Sequence, residues 1–150
     1  MTIKRLSPRG AVNAAIMRQV LLAKQAMYNT LARVGEECVL YARTNGSYTD
    51  QTGNLRSSVG YAVIDNGKVI SKSGFGTIKQ GAEGAGQGKD FLSEIMSQQG
   101  NGLVLIVVAG MNYATYVEAK SYDVISGAEL RSDALVPQLL RQLGFNVRKI

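Results

Sequence analysis

The chain reads as an α+β fold: a long N-terminal helix packed on a small, mainly antiparallel sheet, with a short middle helix and a closing C-terminal helix. Three observations carry this reading. Ile16, Val20, Ala23, Met27, Leu31, Val34, Cys38 and Tyr41 follow one another at spacings of three and four, an apolar stripe lasting seven turns. Asp65-Asn66-Gly67 separates two runs of strand character, and Asn-Gly is the strongest short hairpin signal. Residues 103–109 are continuously apolar and rich in β-branched side chains, too short for a membrane span and suited to a central strand buried on both faces.

From the N-terminus, residues 1–7 read as a mobile arm, and Ser7-Pro8 as a helix start with Ser7 as the cap. Arg18, Gln25, Asn29, Arg33 and Glu36 fall on the far side of the long stripe. Leu21, Leu22, Val39 and Leu40 lie off it. A helix apolar on more than one side is wedged between two surfaces. One is its own sheet; the other is either a neighbouring subunit or the rest of its own domain.

Residues 43–51 form a polar loop, and residues 52–57 a single helical turn. Thr52 and Asn54 can bond nearby backbone there, Gly53 permits a sharp bend, and Leu55 pins the turn to a core. Val59, Tyr61 and Val63 alternate with Gly60, Ala62 and Ile64 as a strand, and residues 68–73 return as its hairpin partner. Residues 74–89 carry six glycines and read as a flexible insertion loop. Asp90 then caps a short helix with Phe91, Leu92, Ile95 and Met96 on its apolar face. After the strand at 103–109, Tyr113, Tyr116 and Val117 share a helical spacing, and residues 122–125 suit a brief edge strand. Ser126-Gly127-Ala128-Glu129 is a capping box opening the last helix, which Pro137 kinks or interrupts and Gly144 closes before a basic tail.

At 150 residues the chain is one domain with room for a real core. A single cysteine, Cys38, excludes an intramolecular disulfide framework and fits a reducing compartment. With no histidine, the usual general base, the usual metal ligand and every histidine-dependent triad are gone. This argues against an enzyme, although Lys, Tyr and carboxylates keep their chemistry. No signal peptide is read, and the sequon Asn45-Gly46-Ser47 is then only a turn.

Gly88-Lys89 invites a phosphate-loop reading, but that motif needs a glycine where Glu83 stands and a hydroxyl where Asp90 stands. Glu36, Glu37, Glu94, Glu118, Asp123 and Glu129 are candidate acid–base groups, yet nothing in the sequence pairs two of them. No cofactor and no metal is expected. The net charge of +6 is uneven: residues 1–35 hold Lys4, Arg5, Arg9, Arg18, Lys24 and Arg33 and no acid, whereas the rest balances eleven bases against eleven acids. Such a segment can meet an acidic protein surface or nucleic acid.

Thr52-Gly53-Asn54-Leu55-Arg56-Ser57-Ser58-Val59 after a long helix, Asn112-Tyr113-Ala114-Thr115-Tyr116-Val117-Glu118 after an apolar strand, and a closing helix together resemble a known family. They are similar to the tail-completion, or head–tail joining, proteins of long-tailed bacteriophages and prophages, over about residues 10–143. The resemblance implies a non-enzymatic virion component, assembled in the bacterial cytoplasm. It would form a homo-oligomeric ring in the neck, between the head connector and the tail-tube or terminator proteins, in passing contact with genomic DNA and with no membrane. Heterologous ring interfaces join different faces of neighbouring subunits. The interface candidates are Leu21, Leu22, Leu55, Arg56, Tyr113, Tyr116 and Glu118, with the long helix and the hairpin carrying the contact. Arg56 is expected to be solvated or to reach a carboxylate such as Glu118. The arm and the loop at 74–89 would order only against partners. The alternative is a small basic nucleic-acid-binding domain that uses Arg18, Lys24 and Arg33 on phosphates. A histidine-free enzyme ranks last.

Overall fold

The structure is a computed structural model that describes residues 9–120 and 123–147. The arm at 1–7, the Ser7-Pro8 helix start, residues 121–122 and the end of the basic tail lie outside it. Eight elements follow in chain order: α1 (Arg9–Asn45), α2 (Asn54–Ser57), β1 (Val59–Asp65), β2 (Lys68–Lys72), α3 (Ala82–Ser97), β3 (Leu103–Ala109), α4 (Ala114–Ala119) and α5 (Ser126–Gln142). The fold is α+β, with a three-stranded antiparallel sheet in the order β2-β1-β3.

The hairpin forms where Asn66-Gly67 places it. Both residues take positive φ, 50° and 79°, as the type I′ turn requires. The turn is fastened to the lead-in of β3: Gly102 N–H donates to Asn66 Oδ1 at 2.8 Å, and Asn66 N–H to the Gly102 carbonyl at 3.0 Å. Pairing of β1 with β2 skips Ile70, a bulge, whereas β1 and β3 pair without a break from Val59↔Ala109 to Asp65↔Leu103.

The central strand is therefore β1, not the strand at 103–109. β1 is buried along nearly its whole length, and β3 is an edge strand. The unbroken apolar run of β3 reflects cover on both faces by helices, which is independent of its place in the strand order. Leu103, Leu105, Val107 and Ala109 face the core built on Leu31, Val34, Cys38, Val59, Tyr61 and Val63; Ile106 and Val108 face Leu92, Ala62 and Ile64 on the other side. α1 and α5 cover one face of the sheet and α3 covers the other. Cys38 is buried in the first core, its thiol donating to the Ala128 carbonyl at 3.5 Å.

Residues 74–89 are not an insertion loop throughout. From Ala82 they belong to α3, which starts well before Asp90; Asp90 lies mid-helix and caps nothing. The reason is tertiary. Gly84 and Gly88 are buried on the helix face that meets α2 and the start of β1. A Cβ on Gly84 would stand 1.9 Å from the Asn54 carbonyl oxygen, and one on Gly88 2.4 Å from that of Ser58. Close backbone approach outweighs the poor helix propensity of glycine.

Residues 123–125 form no strand. The expected capping box is replaced by more distant carboxylates. Asp123 Oδ1 accepts the Gly127 N–H at 2.9 Å, and Glu118 accepts that of Ser126. α5 runs on through Pro137, whose missing N–H leaves the Asp133 carbonyl without its helical donor. It ends in a Schellman motif, Gly144 N–H to the Arg141 carbonyl at 3.0 Å and Phe145 N–H to that of Leu140 at 3.1 Å.

Candidate interaction surfaces

α1 has 37 residues and spans about 55 Å at 1.5 Å per residue. Only its second half has a body beneath it. Leu31, Val34, Cys38, Val39 and Ala42 are buried, whereas every residue from 9 to 22 is exposed. Val12, Ile16, Met17, Val20, Leu21 and Leu22 are the large apolar side chains on this projecting half, Leu21 at 62% and Leu22 at 59% exposure. The stripe read from the sequence is thus one helical face that is core below and bare above. The changeover falls near Tyr28, whose hydroxyl bonds Asp65 at the hairpin end of β1; Lys24 reaches the same carboxylate at 3.8 Å.

The three phosphate-binding candidates do not form one surface. Lys24 pairs with Asp65, and Arg33 pairs with Glu37 at 3.4 Å. At roughly 100° per residue, Arg33 lies on the opposite side of the helix from Lys24. Arg18 is exposed on the projecting half.

The segment at 52–58 turns inward. Leu55 is 2% exposed and shares a core cluster with Tyr48, Met111, Ala114 and Val124, so it anchors this chain and is not an interface residue. Ser57 and Ser58 are fully buried. Ser57 Oγ accepts the Ile78 N–H at 2.8 Å; Ser58 Oγ donates to the Leu55 carbonyl at 2.7 Å and accepts from Met111 N–H at 3.3 Å. Gly53, at φ 82°, packs so close to the Ile78 carbonyl that a Cβ would stand 1.9 Å from its oxygen.

Arg56 neither meets Glu118 nor stands free. Its guanidinium lies 5.3 Å from the Tyr48 ring centroid and donates to the Gly46 carbonyl at 3.1 Å. Burial raises the Tyr48 phenol above its ordinary pKa, and the nearby Arg56 opposes that shift. Asp50 organises this corner and is absent from the sequence-derived candidates. Its carboxylate is buried and accepts the Gly53 and Arg56 N–H groups, each at 2.9 Å, while its carbonyl accepts Lys79 Nζ at 2.7 Å. An aspartate two residues ahead of a Thr-Gly-Asn turn is a legible capping pattern.

Glu118 is likewise occupied within its own chain. It accepts the N–H groups of Val124 at 2.8 Å and of Ile125 and Ser126 at 3.2 Å each. Burial pushes its pKa up, but the hydrogen bonds from Ser126, Val124 and Ile125 outweigh burial and hold it below the ordinary value. Tyr113 is 38% exposed beside Asp50 and Thr52. Tyr116 falls within α4, and its side chain lies outside the described part of the structure.

A second uncovered surface lies at the free edge of β3. There, a groove of about 680 Å³ runs between Phe91 and Ile95 of α3 on one side and Thr115 and Ile125 on the other, with residues 106–110 as its floor. No protein-family model matches the chain, and neither the curated proteins nor the solved structures give a significant match. No described helix is long and apolar enough to cross a membrane.

Proposed function

We propose that this protein is a non-enzymatic structural subunit that assembles into a homo-oligomeric ring. Within that class, we read it as a neck or tail-completion adaptor of a long-tailed phage virion, joining head connector to tail. The observation that carries the oligomer is the bare apolar face of α1 between Val12 and Leu22. Isolated helices of that length are marginal in water, and an amphipathic face gains its stability by packing. A projecting helix that keeps its apolar stripe beyond its own core is built for another surface. The phage assignment rests on the two motif segments and their order along the chain. Those segments tie α2, α3, β3 and α5 together from within, a fold-building role that suits a structural subunit.

The test is light scattering on the purified protein over a concentration series, with and without connector and tail-tube proteins from the same particle. A species of several subunits, or stable incorporation into particles, is expected. A strict monomer that never joins a particle overturns the reading.

A further inference from the structure

We infer that the projecting half of α1 from one copy docks in the groove along the free edge of β3 of a second copy. This rests on the oligomeric reading above and names the two surfaces that meet. The donor presents Val12, Ile16 and Val20 on successive turns, the spacing with which an amphipathic helix fills an apolar groove. The receptor is lined mainly by apolar residues, Phe91, Ile95, Ile106, Val108, Met111 and Ile125 among them. Lengths agree: two helical turns cover about 11 Å, and the strand residues on the floor cover roughly 13 Å.

Charge selects this pairing over a symmetric one. Residues 1–35 contain six basic side chains and no acid. The projecting residues 9–22 carry Arg9 and Arg18 and no acid, so two such segments laid against each other add positive charge to positive charge. The helix that walls the groove carries acids instead. Asp90 and Glu94 are exposed on α3, next in sequence to the wall residues Phe91 and Ile95. Donor and receptor are different faces of the subunit, so the contact is heterologous and propagates to a third copy, as a ring requires.

The experiment mixes two defective variants. Ile16→Glu with Val20→Glu disables the donor at exposed positions; Phe91→Glu disables the receptor. Thr115→Arg, at an exposed groove position, is a second receptor variant should Phe91→Glu unfold. Mass is read by light scattering after circular dichroism has verified folding. Wild type is expected to assemble, each variant alone to be monomeric, and the mixture to stop at a one-to-one dimer, because one intact donor meets one intact receptor. If wild type assembles but the mixture stays monomeric, or if the donor variant alone still assembles, the pairing is overturned while the oligomeric reading stands. Wild type that remains monomeric overturns both.

Discussion

Glu118 illustrates how one side chain can hold a connection that regular structure does not. The chain leaves α4 and must enter α5 with several backbone N–H groups unpaired, as every helix start does. One carboxylate collects three of them. Hydrogen bonds to a charged acceptor contribute about 1.5–3 kcal/mol each at most, with strong overlap when they share one group. Glu118→Gln keeps the shape but loses the charge, and should lower unfolding free energy by about 2 kcal/mol at neutral pH. The pH dependence has a definite sign. The folded-state pKa lies below the ordinary value of 4.5. The stabilisation is therefore fully present above 4.5 and is lost as pH falls through the lower, folded value. Urea midpoints measured from neutral to acid pH should show wild type and Glu118→Gln converging on the acid side. Parallel curves would assign the effect to shape alone.

At the scale of elements, α3 is the instructive case. Its glycines can be read as flexibility or as a small-residue face, and composition favours the first. The spacing of Gly81, Gly84 and Gly88 is three and four, the same period that identifies the α1 stripe. What the sequence alone does not supply is the surface those glycines meet, the backbone of α2 and the first residue pairs of β1. Gly84→Ala should destabilise the fold by about 1–3 kcal/mol or more, because the added methyl meets main-chain atoms that cannot step aside. Gly86→Ala, on the open side of the same helix with nothing within 4 Å, should instead stabilise by about 0.5–1 kcal/mol. Melting temperatures of the two single variants decide it, and equal shifts would return α3 to a loosely held segment.

The hairpin was legible because Asn66-Gly67 dictates a local backbone conformation that needs no other part of the chain. The lower half of the α1 stripe and the inward role of Leu55 were legible from period and isolation. The order of strands was not: an unbroken apolar run reports cover on two faces, and β3 has that cover at the edge of the sheet. The roles of Arg56 and Glu118 were hidden for a different reason. Their partners are backbone groups at Gly46 and at 124–126, and backbone groups carry no sequence signal.

For the whole molecule, the mismatch between helix and body decides which residues serve folding and which serve assembly. α1 outruns the sheet by the 14 exposed residues from 9 to 22, about 20 Å of helix. Ile16 and Val20 belong to that overhang, and Leu31 to the core. Changes to apolar residues of one helix should therefore give opposite outcomes. Ile16→Glu with Val20→Glu replaces β-branched residues by a better helix former at exposed sites, so monomer stability should move by no more than about 0.5 kcal/mol. Leu31→Ala empties part of the core and should cost about 2–4 kcal/mol. Assembly should respond in the reverse order, with the paired surface change dissociating the oligomer and the core change leaving the contact face intact while the protein remains folded. Urea unfolding and sedimentation velocity on the same samples separate the two effects. Comparable loss of stability in both variants would place Ile16 and Val20 against this chain's own core, and the overhang would cease to be a contact surface.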